Sequence, residues 1–289
     1  MLTAWSGEGC QTLVAEWWLV PGRRTVSIDC RFPIERRPRR VLEGERVLLP
    51  EWMIRKADER YLGIRLVLER RLFGMGYQQL DSRYFNSMPR DSGVMIRGLV
   101  PIDAICPGQT FPGDIDLLVI PFEKDELVAS RALAIESKAV RASYARQHRS
   151  PNSFGFSQAS ALLALGFPLV GVAHLIVSDR SPESAWRKMA MTTLLDAETG
   201  LVDEFREVYV DMLPSDLIER CVGRLRGNCP DQRIGLLSSF IGGEGHWIPS
   251  GRSAEYNEEA SLGVINSIAR YYEQNAESFF ETLRYPPEK

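Results

Sequence analysis

The sequence predicts an α/β protein, and three observations carry that reading. From residue 58 onward the hydrophobic patterning runs helix, strands, helix, strand. Two strand-like runs, PGDIDLLVIP (Pro112 to Pro121) and ALAIESKAV (Ala132 to Val140), are apolar on both sides, as strands inside a covered sheet are. The 289 residues are 44% hydrophobic and 25% charged, the balance of a globular chain with a sizeable core.

Taken in order, residues 1 to 55 are rich in Trp, Val and Arg broken by Pro and Gly, as in EWWLVPGRRTVSIDCRF and RRVLEGERVLLP. Short strands joined by turns fit that composition, so a β-rich extension is expected there. KADERYLGIRLVLERRLFGMGY then predicts a helix capped by Asp58 and stopped at Gly74 or Gly76. GVMIRGLV predicts a strand, the two charged runs follow, and a polar loop, RASYARQHRSPNSFGF, leads to the helix SQASALLALGF and the strand LVGVAHLIVSD. Beyond residue 180, SPESAWRKMAMTTLL, PSDLIERCVGRLRG and the segment from Ser253 to Tyr285 read as helix. The expected organisation is therefore an extension over 1–55, a core over 56–180 and a mainly helical extension over 181–289.

The same composition limits the function classes. The net charge of -3 gives no argument for nucleic acid or membranes by itself, so a basic surface has to be local. Five cysteines, Cys10, Cys30, Cys106, Cys221 and Cys229, are odd in number and form no C-x-x-C pair, which points to a reducing compartment without a disulfide frame or structural zinc. The amino terminus has no charged region followed by an apolar one, so no signal peptide is expected. The longest apolar stretch, Ser160 to Val177, approaches the ~20 residues of a membrane span. Gly166, Pro168, Gly171 and His174 interrupt it, and it splits into a helix and a strand. A cytoplasmic protein without a membrane span is the expectation.

The charges inside the two strands carry the chemistry. Residues two apart share a sheet face, so Asp114 and Asp116 point one way, as do Glu136 and Lys138. If the strands pair, two or three carboxylates and an ammonium meet at the strand ends. Burying like charges without a partner costs several kcal/mol, and a hard divalent cation with oxygen ligands removes the conflict. A lysine beside a metal and a phosphate can orient or deprotonate a water and offset charge developing on phosphorus.

Asp116 in GDID at a strand start, followed by Glu136-Ser137-Lys138 on the next strand, resembles the PD-(D/E)XK nuclease superfamily. The likeness covers residues 58–180. It implies a restriction endonuclease-like fold, a mixed central sheet flanked by helices in the order αβββαβ, and a Mg2+ (or Mn2+)-dependent nuclease. It implies Asp116, Glu136 and the Ser137 backbone carbonyl as metal ligands, Asp114 as an accessory carboxylate, and Lys138 as the residue that activates water. The family often carries a Glu on the first helix and a Gln on the second, which Glu69 and Gln158 supply here. One departure is that no Pro directly precedes Asp116, which leaves Asp114, after Pro112-Gly113, as the competing assignment. Nucleic acid, with DNA favoured, is the implied partner, in restriction, phage defence or repair, and a homodimer or a partner protein is compatible with it.

Arg141, Arg146 and Arg149 follow Lys138 with no acidic residue between, and arginines so placed suit phosphate contacts. A solvated face is the ordinary alternative for such a run. Of the histidines, His174 lies in an apolar strand and reads as a hydrogen-bonded core residue, while His246 in GGEGHW matches no phosphate loop. Two other functions fit parts of the pattern. DIDLLV is similar to the metal-holding strand of nucleotidyltransferases, although the Gly-Ser those enzymes carry upstream is missing, and a nuclease-like fold can serve as a non-catalytic binding subunit.

Overall fold

The computed structural model of the protein describes residues 29–39, 46–55, 58–109, 113–242 and 247–285. In chain order, β1 (Arg31–Pro33), α1 (Glu51–Arg55), α2 (Glu59–Leu68), α3 (Arg70–Leu80) and α4 (Ser82–Ser87) precede the core strands. Next come β2 (Ser92–Pro101), β3 (Asp114–Glu123), β4 (Glu126–Val128), β5 (Leu133–Arg141), α5 (Phe156–Ala164) and β6 (Leu169–Val177). An arm of β7 (Arg187–Met191), β8 (Leu194–Asp196), β9 (Leu201–Val202) and β10 (Arg206–Val210) leads to α6 (Leu213–Asn228). The chain finishes with β11 (Gly235–Phe240), β12 (Ser250–Arg252), α7 (Leu262–Asn275) and β13 (Phe280–Leu283).

Nine of these strands form one mixed, curled sheet, with β3 as its pivot. β2 lies antiparallel along one edge of β3, with β13 outside it, while β5 and the short β4 share the other edge. β5 and β6 are parallel, with α5 as the crossover that parallel pairing requires, and β6 is in turn parallel to β11. Both faces are covered, which is why the central strands are apolar on both sides away from their few charged positions. Leu118, Ile120 and Phe122 of β3 join a core with residues of α5 and α7, and Leu117 and Val119 join a second core with residues of α2 and α3.

The fold is thus α/β, with a mixed central sheet flanked by helices as expected, and it differs from the sequence reading in three places. The first helix breaks at Glu69 and then runs through Gly74 and Gly76 to Leu80. Gly76 is a close approach and not a stop: a Cβ there would lie 3.2 Å from Leu237 Cδ2 of β11. Asp58 does cap α2, accepting from the Arg60 N–H at 2.9 Å.

The second difference is the mainly helical extension expected over 181–289. It holds two long helices, but β11, β12 and β13 belong to the central sheet. Third, SPESAWRKMAMTTLL is not a helix: Arg187–Met191 is an exposed strand paired with β10. Alternation between a buried and a wet face, the signal that marks most strands, is missing from a strand that water reaches on both sides. Of the β-rich extension, β1 is described and pairs with β4, while residues 1–28 and 40–45 lie outside the described residues. No helix among the described residues is long and apolar enough to cross a membrane, and Cys106, Cys221 and Cys229 form no disulfide.

Candidate active site

β3 and β5 pair only at Leu117↔Ile135, Leu118↔Ala134 and Val119↔Leu133, and beyond that they part. The next positions in that register are Asp116 and Glu136. Where the ladder ends, a backbone donor of β5 needs another acceptor. The Ser137 N–H donates to Asp116 Oδ2 at 2.7 Å, and the Ser137 hydroxyl donates to the same oxygen at 3.1 Å. Asp116 therefore bridges the parting strands with its side chain. Burial raises its carboxyl above the ordinary range, and the Ser137 amide and the Lys138 charge pull it back.

Glu136, only 1% exposed, accepts from Lys138 Nζ at 2.5 Å through Oε1. Its Oε2 is buried with no hydrogen-bond partner. Burial, with the charge of Asp116 added, pushes the Glu136 carboxyl up to about 7 against the pull of Lys138. Lys138 moves the other way from a typical buried amine. Burial lowers it, but Glu136 and Glu59 more than compensate, so its pKa is raised and it keeps its proton. Gly155 closes the site from above at φ +84, where a Cβ would come within 2.9 Å of Glu136 Cγ. Only glycine serves both the left-handed backbone and that close approach.

Sequence reasoning missed Glu59. Its Oε2 lies 3.8 Å from Lys138 Nζ, and its Oε1 accepts from the Ala139 N–H at 3.2 Å. Glu69, the expected helix glutamate, is instead bound to Arg65 at 2.6 Å one turn back. Ten residues of helix amount to a translation of about 15 Å and a rotation of roughly 80° away from Glu59, so one helix cannot bring both to one point. No local sequence signal marks Glu59; it reaches the site because the first turn of α2 is the end that faces β5.

The remaining residues fall as follows. Gln158 Nε2 lies 3.7 Å from the position of a Cβ on Gly113, which places Gln158 against the turn that delivers Asp114 and Asp116. Asp114 is exposed at the first position of β3. Arg141, Arg146 and Arg149 line a common cleft of about 600 Å³ together with Lys138 and Glu59. His174 is the core residue expected: its Nε2 is bonded to the Phe154 carbonyl at 3.2 Å, its Nδ1 meets Cys221 Sγ at 3.4 Å, and burial lowers its pKa to about 4. His246 and Pro112 lie outside the described residues.

The backbone opposite Asp116 is strained. Leu99 of β2 has φ +55, a left-handed conformation that costs a non-glycine residue about 1–2 kcal/mol. The β2–β3 ladder skips Leu99 between Gly98↔Leu117 and Val100↔Ile115, at the level of Asp116.

Two neighbouring carboxylates, one with an unpartnered buried oxygen and a raised pKa, form a donor set that a hard divalent cation satisfies. Among the described residues no three His, Cys, Asp or Glu side chains converge as a metal cage. Asp116 and Glu136 are thus a pair of carboxylates rather than a cage of three. Comparisons of the chain with family models, with curated proteins and with solved structures found no match.

Proposed function

We propose that this protein is a metal-dependent nuclease of the PD-(D/E)XK type, hydrolysing phosphodiester bonds in nucleic acid, with DNA favoured. The observation that carries the reading is the buried Glu136, with one oxygen on Lys138, the other unpartnered, and Asp116 as its neighbour across the parted strands. The order of the core supports it: a helix, β2, β3 and β5 antiparallel in turn, α5, then β6 parallel to β5. With the short β4 set aside, that order resembles the αβββαβ arrangement that the likeness implies. The cationic cleft beside Lys138 suits a phosphate backbone.

Asp116, Glu136 and the Ser137 carbonyl would hold Mg2+ or Mn2+, which supplies a Lewis acid for phosphate oxygens. Lys138, protonated and braced between Glu136 and Glu59, donates a hydrogen bond to the attacking water and offsets negative charge on phosphorus. Ser137 holds Asp116 at the strand gap through two hydrogen bonds. Arg141, Arg146 and Arg149 bind the flanking phosphates and fix the strand for in-line attack. The products implied by the resemblance are 5′-phosphate and 3′-hydroxyl ends. Asp114, exposed at the strand entry, contributes negative charge at the mouth. No observation favours nucleotide transfer.

The test is incubation with supercoiled plasmid, linear duplex, single-stranded DNA and RNA in Mg2+, Mn2+ or EDTA. Cutting that needs the metal and falls by at least ~100-fold in both Asp116→Ala and Lys138→Ala is expected. Cutting that survives Lys138→Ala overturns the assignment of roles. Binding without cutting on every substrate would make the chain a nuclease-like binding subunit.

A further inference from the structure

A second cleft, of about 280 Å³, opens beside Asp116 and Ser137. Its walls are largely apolar, with Ile64 and Val67 from α2, Leu99 from β2 and Phe280 from β13. Glu59 lines both clefts, so an apolar slot and a cationic groove meet at the carboxylate pair. Arg97 also belongs to the slot: one arm donates to the Ser278 carbonyl at 2.7 Å, while Nε is buried without a partner. The strained Leu99 forms part of the same wall, and strain of this kind persists where the surrounding structure enforces it for use.

A phosphodiester presents two chemistries side by side, charged phosphates and flat apolar bases. The groove suits the first and the slot suits the second. At about 280 Å³ the slot lies at the small end of ligand sites, far too small for the edge of a duplex. A base can enter it only when unpaired, because paired bases keep their faces stacked within the helix. Resting on the nuclease reading, we propose that this slot receives one unpaired nucleobase of the strand being cut, stacked on Phe280 with the Arg97 guanidinium at its edge. The preferred substrate is then a single strand, or a duplex carrying an unpaired nucleotide at the cut, with little sequence preference, since every base has a π-face.

The decisive experiment measures binding of labelled oligonucleotides in EDTA, where nothing is cut. The probes are a single strand, its perfect duplex, and the single strand with one abasic residue moved along it position by position. The wild-type protein binds the single strand more tightly than the duplex, and an abasic residue at one position weakens binding about 5- to 150-fold, the range for loss of one base–aromatic stack. Phe280→Ala lowers affinity for the intact strand by a similar factor and no longer senses the abasic residue. Ile64→Trp, which fills the slot and leaves β13 untouched, behaves the same way and guards against a folding defect in Phe280→Ala.

If abasic residues are neutral at every position, or the duplex binds better, the base slot is refuted. Asp116-dependent cutting of plasmid in Mg2+ would in that case leave the nuclease reading standing. If no nucleic acid is bound or cut, the nuclease reading falls and the slot falls with it.

Discussion

Glu136 sits between a cation two residues along its own strand and a carboxylate across the gap, and its titration follows from that position. Its carboxyl is pushed up to about 7 first by burial and then by the Asp116 charge, so in the folded protein the neutral form is favoured up to that pH. A folded-state pKa above the unfolded value contributes stability below the unfolded pKa and loses it as pH rises through the folded one. Without divalent ions, this contribution is present near pH 4 and gone above about pH 7. His174 has the opposite sense: lowered to about 4, it contributes stability above its ordinary value that is lost as pH falls through about 4. The two slopes oppose each other in the wild-type protein, and a difference measurement separates them. Urea unfolding of wild-type and Glu136→Gln proteins in EDTA, from pH 4.5 to 8, shows the variant gaining on the wild type by about 3 kcal/mol as pH rises to 7. A difference that stays flat with pH would mean that Glu136 ionises normally in the fold. The charges at alternate positions in an apolar run were legible in the sequence, but the titration of Glu136 was not, because it depends on how deeply the fold buries the carboxyl and how near it brings Asp116.

At the scale of the element, α2 decides which glutamate reaches the site. Its first turn packs toward the end of β5, where Glu59 bonds the Ala139 amide and approaches Lys138. Its last turn carries Arg65, which holds Glu69 at partial exposure on the other side of the helix. Glu59→Gln therefore lowers kcat by about tenfold with KM little changed, the size expected when a group that orients a catalytic residue is lost. Glu69→Ala leaves cutting unchanged and costs at most about 0.5 kcal/mol, the worth of an exposed i,i+4 pair. The reverse ranking would show that α2 sits differently on the sheet. The choice between the two glutamates was not legible in the sequence, since helix phase relative to a distant strand has no local signature. The strands themselves were: β3, β5 and β6 lie where apolar runs bounded by Pro, Gly and Asp place them, and α5 ends before Gly166 at φ +91.

Over the whole molecule, the carboxyl-terminal third enters the core by strands that local pattern could not reveal. GLLSSF of β11 is buried at every position, so it has no alternation, and its partner β6 lies some sixty residues earlier. β13 returns from α7 to pair with β2 and brings Phe280 to the cleft beside Asp116, so the tail helps to build the site. The same scale governs how a polyanion is met. With a net charge of -3 the molecule as a whole does not attract a polyanion, so on the nuclease reading binding falls to the local groove. On that reading Arg141, Arg146 and Arg149, which line the groove with Lys138, are its phosphate contacts. Three contacts to a single strand predict that log K falls with log salt at a slope of about -2, and each Arg→Ala flattens that slope by about 0.7. Titrations of a single-stranded oligonucleotide from 50 to 300 mM salt measure it. A slope near zero would remove the groove from the binding site, whereas a slope far steeper than -2 would place further cations, beyond these three arginines, on the path of the strand.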